Sequence, residues 1–398
     1  MALRRRASRD DQLVRLMNNV IPYGRQSIDA DDIEMVVKVL KGDWLTTGPA
    51  VREFEDAISA YVGGGVSSVS VTSGTAALHV AYAAFGIEAG DEVVTTPLTF
   101  VATAAAAALL GARVVFADID PYTGNLDVAA AEAAITSKTR AIAAVDYAGM
   151  PVNGAAFRDL AKRNDSYFLQ DAAHSIGSTR DGQPVGTFAD ITTFSFFPTK
   201  NMTTAEGGAV VTADELLAKR ARLFHNHGLV RDRESQRWPD EGPWHQEVVS
   251  FGVNYRLPDV LAALGTSQLR KLAGFKARRA EIAALYRAGL ADIDGLVLPG
   301  LDAACDPTWH LFPVRVPAEH RKRVFEDLRE QGIGVQVNYI PVYWHPVFAD
   351  LGYQRGQCPN AEEFYNQEIS LPMYVGLTND DVQRVVESVH HGMRIVTG

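Results

Sequence analysis

The stretch "FSFFPTKNMTTAEGGAVVT", residues 194–212, sets one lysine, Lys200, between an aromatic-rich run and a pair of glycines. Residues 191–196 and 209–212 are short runs of β-branched and aromatic side chains, the composition of interior strands. Pro198 and the pair Gly207 and Gly208 punctuate the segment between them. Lys200 therefore falls near a strand end, where α/β proteins carry their chemistry.

Working outward, short β-branched runs alternate with helical patterns over residues 69–211. That alternation predicts a mostly parallel sheet flanked by helices. Strands are expected at 68–71, 92–95, 113–117, 141–145, 167–170, 191–195 and 209–212, enough for one wide seven-stranded sheet. Helices are expected at 74–85, 102–110, 128–135 and 155–163. The last of these places Phe157, Leu160 and Ala161 at i, i+3 and i+4. Beyond Val253, Leu257, Val260, Leu261 and Leu264 repeat at helical spacing around Pro258 and Asp259, which suit a first turn. This long helix is expected to join two domains. The unit after it reads as a strand at 311–316, a helix at 321–330, a strand at 335–337 and a final helix with Val382, Val385, Val386 and Val389 on one face. The division expected is an N-terminal extension at 1–20, a large domain at 21–255, and a linking helix with a smaller α/β domain at 256–398. Residues 230–249 fit no period and form a long loop, of the kind that is usually functional or mobile.

The chain of 398 residues has room for such a pair of cores. Hydrophobic residues at 47% and charged residues at 22% are ordinary for a globular enzyme and exclude general disorder. A net charge of -10 argues against a nucleic-acid surface or an anionic-membrane binder. Cys305 and Cys358 are far apart, which points away from a disulfide framework or a zinc site and fits a reducing cytoplasm. The opening "MALRRRASRDDQLVRLMNNV" lacks the apolar core of a secretory signal, and "FVATAAAAALLGA" is too short to span a bilayer.

Three motifs join Lys200. In "VTSGTAAL", residues 71–78, a strand runs through Thr72, Ser73, Gly74 and Thr75 straight into an alanine-rich helix. Two readings fit: free N–H groups and hydroxyls directed at a phosphate, or an ordinary Ser/Thr helix cap. In "YFLQDAAHS", residues 167–175, Asp171 ends a buried strand and His174 follows. A carboxylate there either caps the next turn or pairs with a cation, such as a protonated heterocyclic nitrogen. Lys200 in a semi-buried pocket would lose proton affinity, and its neutral amine could condense with an aldehyde. Phosphate cradle, acid and amine are three of the groups a pyridoxal phosphate site needs. Phe100, in "PLTFVAT", could be the fourth by lying flat on the pyridine ring, or could be core.

The set "IPYGRQSID", "GDWLTTGP", "TSGTAALH", "TTPLTFVATA", "DIDPYTGNLD", "DAAHSIG", "FSFFPTKNMTTAEGG", "FHNHG" and "GVNYRLPDVLAALGTSQL" resembles the DegT/DnrJ/EryC1/StrS family of sugar aminotransferases from Ile21 to the C-terminus. The resemblance implies an aspartate aminotransferase-like α/β fold and pyridoxal 5'-phosphate as cofactor. By it, Lys200 is the lysine that joins the cofactor aldehyde and later shuttles a proton, and Asp171 pairs with the pyridinium nitrogen. Gly74, Thr75 and Ser195 would hold the phosphate, with His174 near the phenolic oxygen. Asn254, of the "NYR" motif, would reach the cofactor phosphate of a neighbouring subunit in a homodimer with shared sites. Relatives that carry histidine in place of the lysine dehydrate; here lysine is kept, which favours amino transfer.

Within the family the chain is most similar to enzymes that aminate C4 of dTDP- or UDP-linked 4-keto-6-deoxy hexoses, with L-glutamate as amino donor. Those serve surface polysaccharides or glycosylated natural products. The same cofactor residues would also serve a 3-keto sugar aminotransferase, or a sensor of the same fold without turnover. The resemblance places Tyr23, Trp44, Leu45 and Thr46 in the sugar-nucleotide pocket. "PWHQE" stands where relatives often carry "PWYYE", and "PVYWHP", with Tyr343 and His345, where they carry "PVHxQP". Both are expected in substrate-contacting loops. Arg231, Arg233 or Arg256 could supply positive charge for the diphosphate, or stand solvated in loops.

Overall fold

The computed structural model describes residues 20–397. The expected N-terminal extension therefore lies, but for Val20, outside the described residues. Seven strands form the central sheet: β1 (Ser67–Val71), β2 (Glu92–Thr95), β3 (Arg113–Phe116), β4 (Thr139–Val145), β5 (Tyr167–Asp171), β6 (Ile191–Ser195) and β7 (Gly208–Thr212). Their order is β1-β7-β6-β5-β4-β2-β3. β7 runs antiparallel to both of its neighbours, and the pairings from β6 across to β3 are parallel. Strands covered on both faces must be apolar throughout, which is why "AIAAV" in β4 shows no alternation and is buried along its whole length.

The helices Gly74–Phe85 and Ala102–Leu109 pack together on one face. Phe85 stacks on Tyr167 of β5 there, with ring centroids 4.4 Å apart. The helix Gly154–Arg163 covers the other face, where Phe157 stacks on Phe168. The long helix Asp259–Leu290 begins where the sequence places it, and Asp259 serves a second end. Its buried carboxylate accepts from Gly48 N at 2.8 Å and Ala50 N at 3.0 Å, capping the helix Pro49–Val62. A carboxylate at a helix N-terminus meets unsatisfied N–H groups and the positive end of the dipole together.

The far half of the long helix supplies Ile282, Tyr286 and Leu290 to a second core. It is closed by the antiparallel pair Phe312–Arg315 and Glu368–Leu371 and by the helices Ala318–Glu330 and Asn379–Thr397. The expected strand at 335–337 is not formed; only Gln336 bridges to Ser370. The neighbouring backbone groups are spent elsewhere. Gly334 N donates to Ile21 O at 2.8 Å, and Asn338 N donates to the Glu368 carboxylate at 2.7 Å. The N-terminal arm is thereby tied to this unit. The irregular region at 230–249 is closed at its base by the two-residue pair Leu229–Val230 and Glu247–Val248. Glu247 holds it from inside, accepting from Arg237 N and Trp238 N at 2.6 Å each. No helix among the described residues is long and apolar enough to cross a membrane.

Candidate active site

A cavity of about 410 Å³ opens where β1, β5 and β6 end and the helix Gly74–Phe85 begins. Gly74, Thr75, Phe100, Asp171, His174, Ser195, Lys200 and Tyr23 all line it. These residues come from the arm and from four separate segments of the sheet layer, so the topology, not local spacing, brings them together.

At the helix start both sequence readings hold at once. Ser73 Oγ accepts from Ala76 N at 3.0 Å, so it is a true cap. The N–H groups of Gly74 and Thr75 have no acceptor among the described residues and are left for an anion. Gly74 is required by close approach: a Cβ there would lie 2.7 Å from Ser195 Cβ and 2.8 Å from its Oγ. Only glycine lets the helix terminus and the Ser195 hydroxyl share one cradle of phosphate size.

Asp171 lies at the buried end. Its Oδ2 accepts from Thr103 Oγ1 at 2.7 Å and its Oδ1 from Ala173 N at 3.1 Å. Burial raises its pKa, and those two hydrogen bonds together with the Lys200 charge pull it back. No ion pair among the described residues neutralises it. A buried carboxylate of this kind is costly without a cation, and a protonated ring nitrogen would supply one.

His174, also buried, approaches Tyr339 Oη with Nε2 at 3.1 Å. With the hydroxyl as donor the ring proton sits on Nδ1, which has no partner among the described residues. Burial, then the Lys200 charge, holds this imidazole well below its usual pKa and so neutral. The loop carrying Lys200 is pinned from below, where Asn201 Nδ2 donates to His174 O at 3.0 Å and to Thr308 O at 2.6 Å. Burial pulls the Lys200 ammonium down to about 8, against the opposing pull of Asp171. About a tenth to a fifth of the amine is then neutral near physiological pH, far more than for a free lysine, and that is the state that attacks an aldehyde. Phe100, 58% exposed, offers a ring at the mouth.

The other sequence candidates lie outside this cavity. Trp44, Leu45 and Thr46 are exposed on the surface of the chain. Asn254 is exposed and bridges to Asn226, whose Oδ1 accepts from Arg256 at 2.7 Å. Arg231 points to Gln246 and Arg233 to Asp240. His345 begins the short helix Pro346–Ala349, its carbonyl accepting from Phe348 N at 3.0 Å. Tyr343 lies in the core, not in an open loop: its hydroxyl donates to Glu362 at 2.6 Å and its ring is packed edge-on against Phe116.

The cavity also contains residues that sequence reasoning missed. Thr103 could have been found, because Thr99 and Thr103 sit one helical turn apart in "TTPLTFVATA" and their hydroxyls are 2.9 Å apart. His310, Asn338 and Tyr339 also line the cavity and carry no local motif; they arrive only through the packing of the C-terminal unit.

Comparison with known proteins agrees with this architecture. Residues 26–390 match the DegT/DnrJ/EryC1/StrS aminotransferase family. The chain is 37% identical over 377 residues to the UDP-4-amino-4,6-dideoxy-N-acetyl-beta-L-altrosamine transaminase of Campylobacter jejuni subsp. jejuni, covering 93% of this chain and 96% of that one. Among solved structures it is similar to Helicobacter pylori PseC, an aminotransferase involved in the biosynthesis of pseudoaminic acid, with a TM-score of 0.88, 34% identity, and coverage of 94% and 100%. The PLP form of the sugar aminotransferase Spr1654 from Streptococcus pneumoniae superimposes with a TM-score of 0.88 at 28% identity, covering 95% of this chain and 100% of that one. A family match over nearly the whole chain, joined to relatives above 30% identity at full length, places this protein in the DegT/DnrJ/EryC1/StrS family, as a sugar aminotransferase.

Proposed function

We propose that the protein is a pyridoxal phosphate-dependent aminotransferase that moves an amino group from L-glutamate to C4 of a nucleotide-linked 4-keto-6-deoxy hexose. The observation that carries the reading is the meeting of Lys200 and Asp171 in one cavity with the Gly74, Thr75 and Ser195 cradle. The groups fit the cofactor: an unpaired buried carboxylate, an amine of lowered pKa, and an anion seat that a Cβ at position 74 would fill. C4 and a UDP carrier are supported by the name of the Campylobacter relative, which specifies a UDP-linked 4-amino-4,6-dideoxy sugar.

When bound, pyridoxal phosphate supplies an aldehyde that condenses with amines and a ring that takes up the electrons left when the donor Cα loses its proton. Asp171 would hold a proton on the ring nitrogen, and the Thr103 hydroxyl and Ala173 N–H favour its charged form. Lys200 Nζ would be the group that joins the cofactor and, within reach of the donor Cα, the base that removes its proton and the acid that returns it. Phe100 would cover one ring face, and His174 would supply a neutral imidazole near the phenolic oxygen.

The site is completed by a second copy of the chain in a homodimer. Asn254, with the apolar Trp44 (57% exposed), Leu45 (52%) and Phe251 (98%), lies bare on the single subunit, as residues that close a partner's site would. On this reading the chain divides near 255 and 256 into a cofactor domain and a smaller domain that faces it across the cavity. The test is direct. The loaded, yellow protein should be bleached by L-glutamate and its colour restored by a UDP- or dTDP-linked 4-keto-6-deoxy sugar, with NMR locating the new amine at C4. An amine at C3 would overturn the position, and no spectral change with any amino acid would overturn the reaction.

A further inference from the structure

Tyr339 is delivered to the cavity by the C-terminal unit, just after the segment 335–337 that does not form a strand. Its neighbour Asn338 is held from several sides. The Asn338 N–H donates to the Glu368 carboxylate at 2.7 Å, its carbonyl accepts from Tyr147 Oη at 2.6 Å, and its Nδ2 donates to Tyr23 Oη at 2.7 Å and to Ser370 Oγ at 3.1 Å. The Tyr339 ring then stands edge-on to Phe100, with centroids 6.2 Å apart, and lies within 24° of parallel to His174, with centroids 6.1 Å apart. Its hydroxyl has a single partner among the described residues, His174 Nε2 at 3.1 Å.

A neutral imidazole carries one proton on one of two nitrogens, and the hydrogen bond at either nitrogen decides which. The groups that face His174 are Tyr339, His310, whose ring centroid is 4.3 Å away, and Lys200. Burial and then the Lys200 charge keep the imidazole neutral. Burial, then Tyr23, Asp171 and Glu368, hold the Tyr339 phenol well above its ordinary pKa, so it keeps its proton. Two arrangements of these protons are open. If Nε2–H donates to the hydroxyl oxygen, the phenol proton has no acceptor among the described residues and the buried Nδ1 is left as a bare lone pair. If the phenol donates to Nε2, its proton is spent and Nδ1 carries the ring N–H. The second arrangement leaves one group unpaired instead of two, and is the more stable.

Resting on the aminotransferase reading, which sets His174 near the phenolic oxygen of the cofactor, we propose that Tyr339 is a positioning residue that fixes His174 as its Nδ1–H tautomer. With Nε2 engaged by Tyr339, Nδ1 is the ring nitrogen that remains for the cofactor. The phenolic oxygen bears negative charge when its own proton is lost. An N–H directed at it forms a charge-assisted hydrogen bond, whereas a bare nitrogen lone pair repels it. Tyr339 acts through His174, and the C-terminal unit thereby decides whether that imidazole gives or takes a hydrogen bond.

Nitrogen NMR of the full-length protein, isotope-labelled at its histidine rings, reads the tautomer directly, because a protonated and a bare ring nitrogen resonate far apart; His174→Gln identifies the signal. In the wild type, cofactor-free or loaded, Nδ1 should carry the proton. In Tyr339→Phe the signal should move toward the Nε2–H form that free histidine side chains prefer. On the loaded enzyme, Tyr339→Phe should also raise the pH midpoint of the yellow colour by roughly one pH unit, the scale of a hydrogen bond to a charged group. A wild type with its proton on Nε2, or an unchanged tautomer in Tyr339→Phe, overturns the assignment, and the first of these is read even if the variant does not fold. An unmoved colour midpoint overturns the link to the phenolic oxygen. A wild-type enzyme that L-glutamate does not bleach overturns the aminotransferase reading itself, and leaves standing the tautomer measured without cofactor.

Discussion

Thr103 and Asp171, from the start of one helix and the end of a strand across the sheet, are joined by a hydrogen bond of 2.7 Å from the threonine hydroxyl to Oδ2. A buried carboxylate that must stay charged needs such donors, because each one offsets part of its desolvation. Thr103→Val keeps the shape and removes the donor. Without it the Asp171 pKa rises further and the carboxylate holds a ring proton less well. Turnover with L-glutamate should fall about tenfold, the expected worth of one hydrogen bond to a charged group, and Thr103→Ser should restore it. Unchanged turnover in the valine variant would remove Thr103 from the account.

The contact between Gly74 and Ser195 yields a prediction of opposite logic. Alanine is the better helix former by about 0.5–1 kcal/mol, which offsets only part of a clash that lies within the protein itself, so Gly74→Ala should lower the melting temperature of the cofactor-free protein modestly and weaken cofactor binding as well. Its Cβ, 2.7 Å from Ser195 Cβ, must push the cradle apart. Overpacking of this kind costs about 1–3 kcal/mol, and it should appear as a roughly five- to hundredfold weaker hold on pyridoxal phosphate in a fluorescence titration.

Lys200 sets the pH dependence. Its folded pKa is lowered from 10.5 to about 8, so the neutral amine dominates only above that value. Capture of pyridoxal phosphate by the cofactor-free protein should speed up about tenfold per pH unit below this point and level off above it. The unfolded chain binds this proton up to 10.5 while the folded chain releases it near 8, so between these values the unfolded state holds more protons. The Lys200 contribution to stability therefore rises with pH across that window and is constant outside it. Chemical denaturation at several pH values should show this slope in the cofactor-free wild type and not in Lys200→Met.

Asn254 provides a test of subunit sharing. Homodimers of Lys200→Ala and of Asn254→Ala should each be impaired at both sites. Mixed dimers place both changes in one site and leave the other intact, so roughly half a dimer's activity should return. Verified mixed dimers with no recovery would show that Asn254 acts within its own chain.

The sheet was legible because burial on both faces forces unbroken apolar runs, and glycine or proline ends most of them. Asp171 and Lys200 were legible for a related reason: a charge against such runs needs a purpose. The segment at 335–337 was not, since its backbone groups go to the N-terminal arm and to a side chain of Glu368, partners that no local pattern reveals. His310 lies in "TWHLFPV", which reads as the start of a strand; its place beside His174 is set only when the C-terminal unit packs on the sheet. Tyr343 misled because an aromatic residue in an expected binding loop can turn either way, and the Glu362 carboxylate turned this one inward.

Reduction of the cofactor-loaded protein with borohydride, followed by peptide mass spectrometry, tests the central claim most directly. The account predicts one pyridoxyl group per chain, on the Lys200 peptide, and none on Lys200→Ala. A label on another lysine, or no covalent label on a protein that still transfers amino groups, would contradict it.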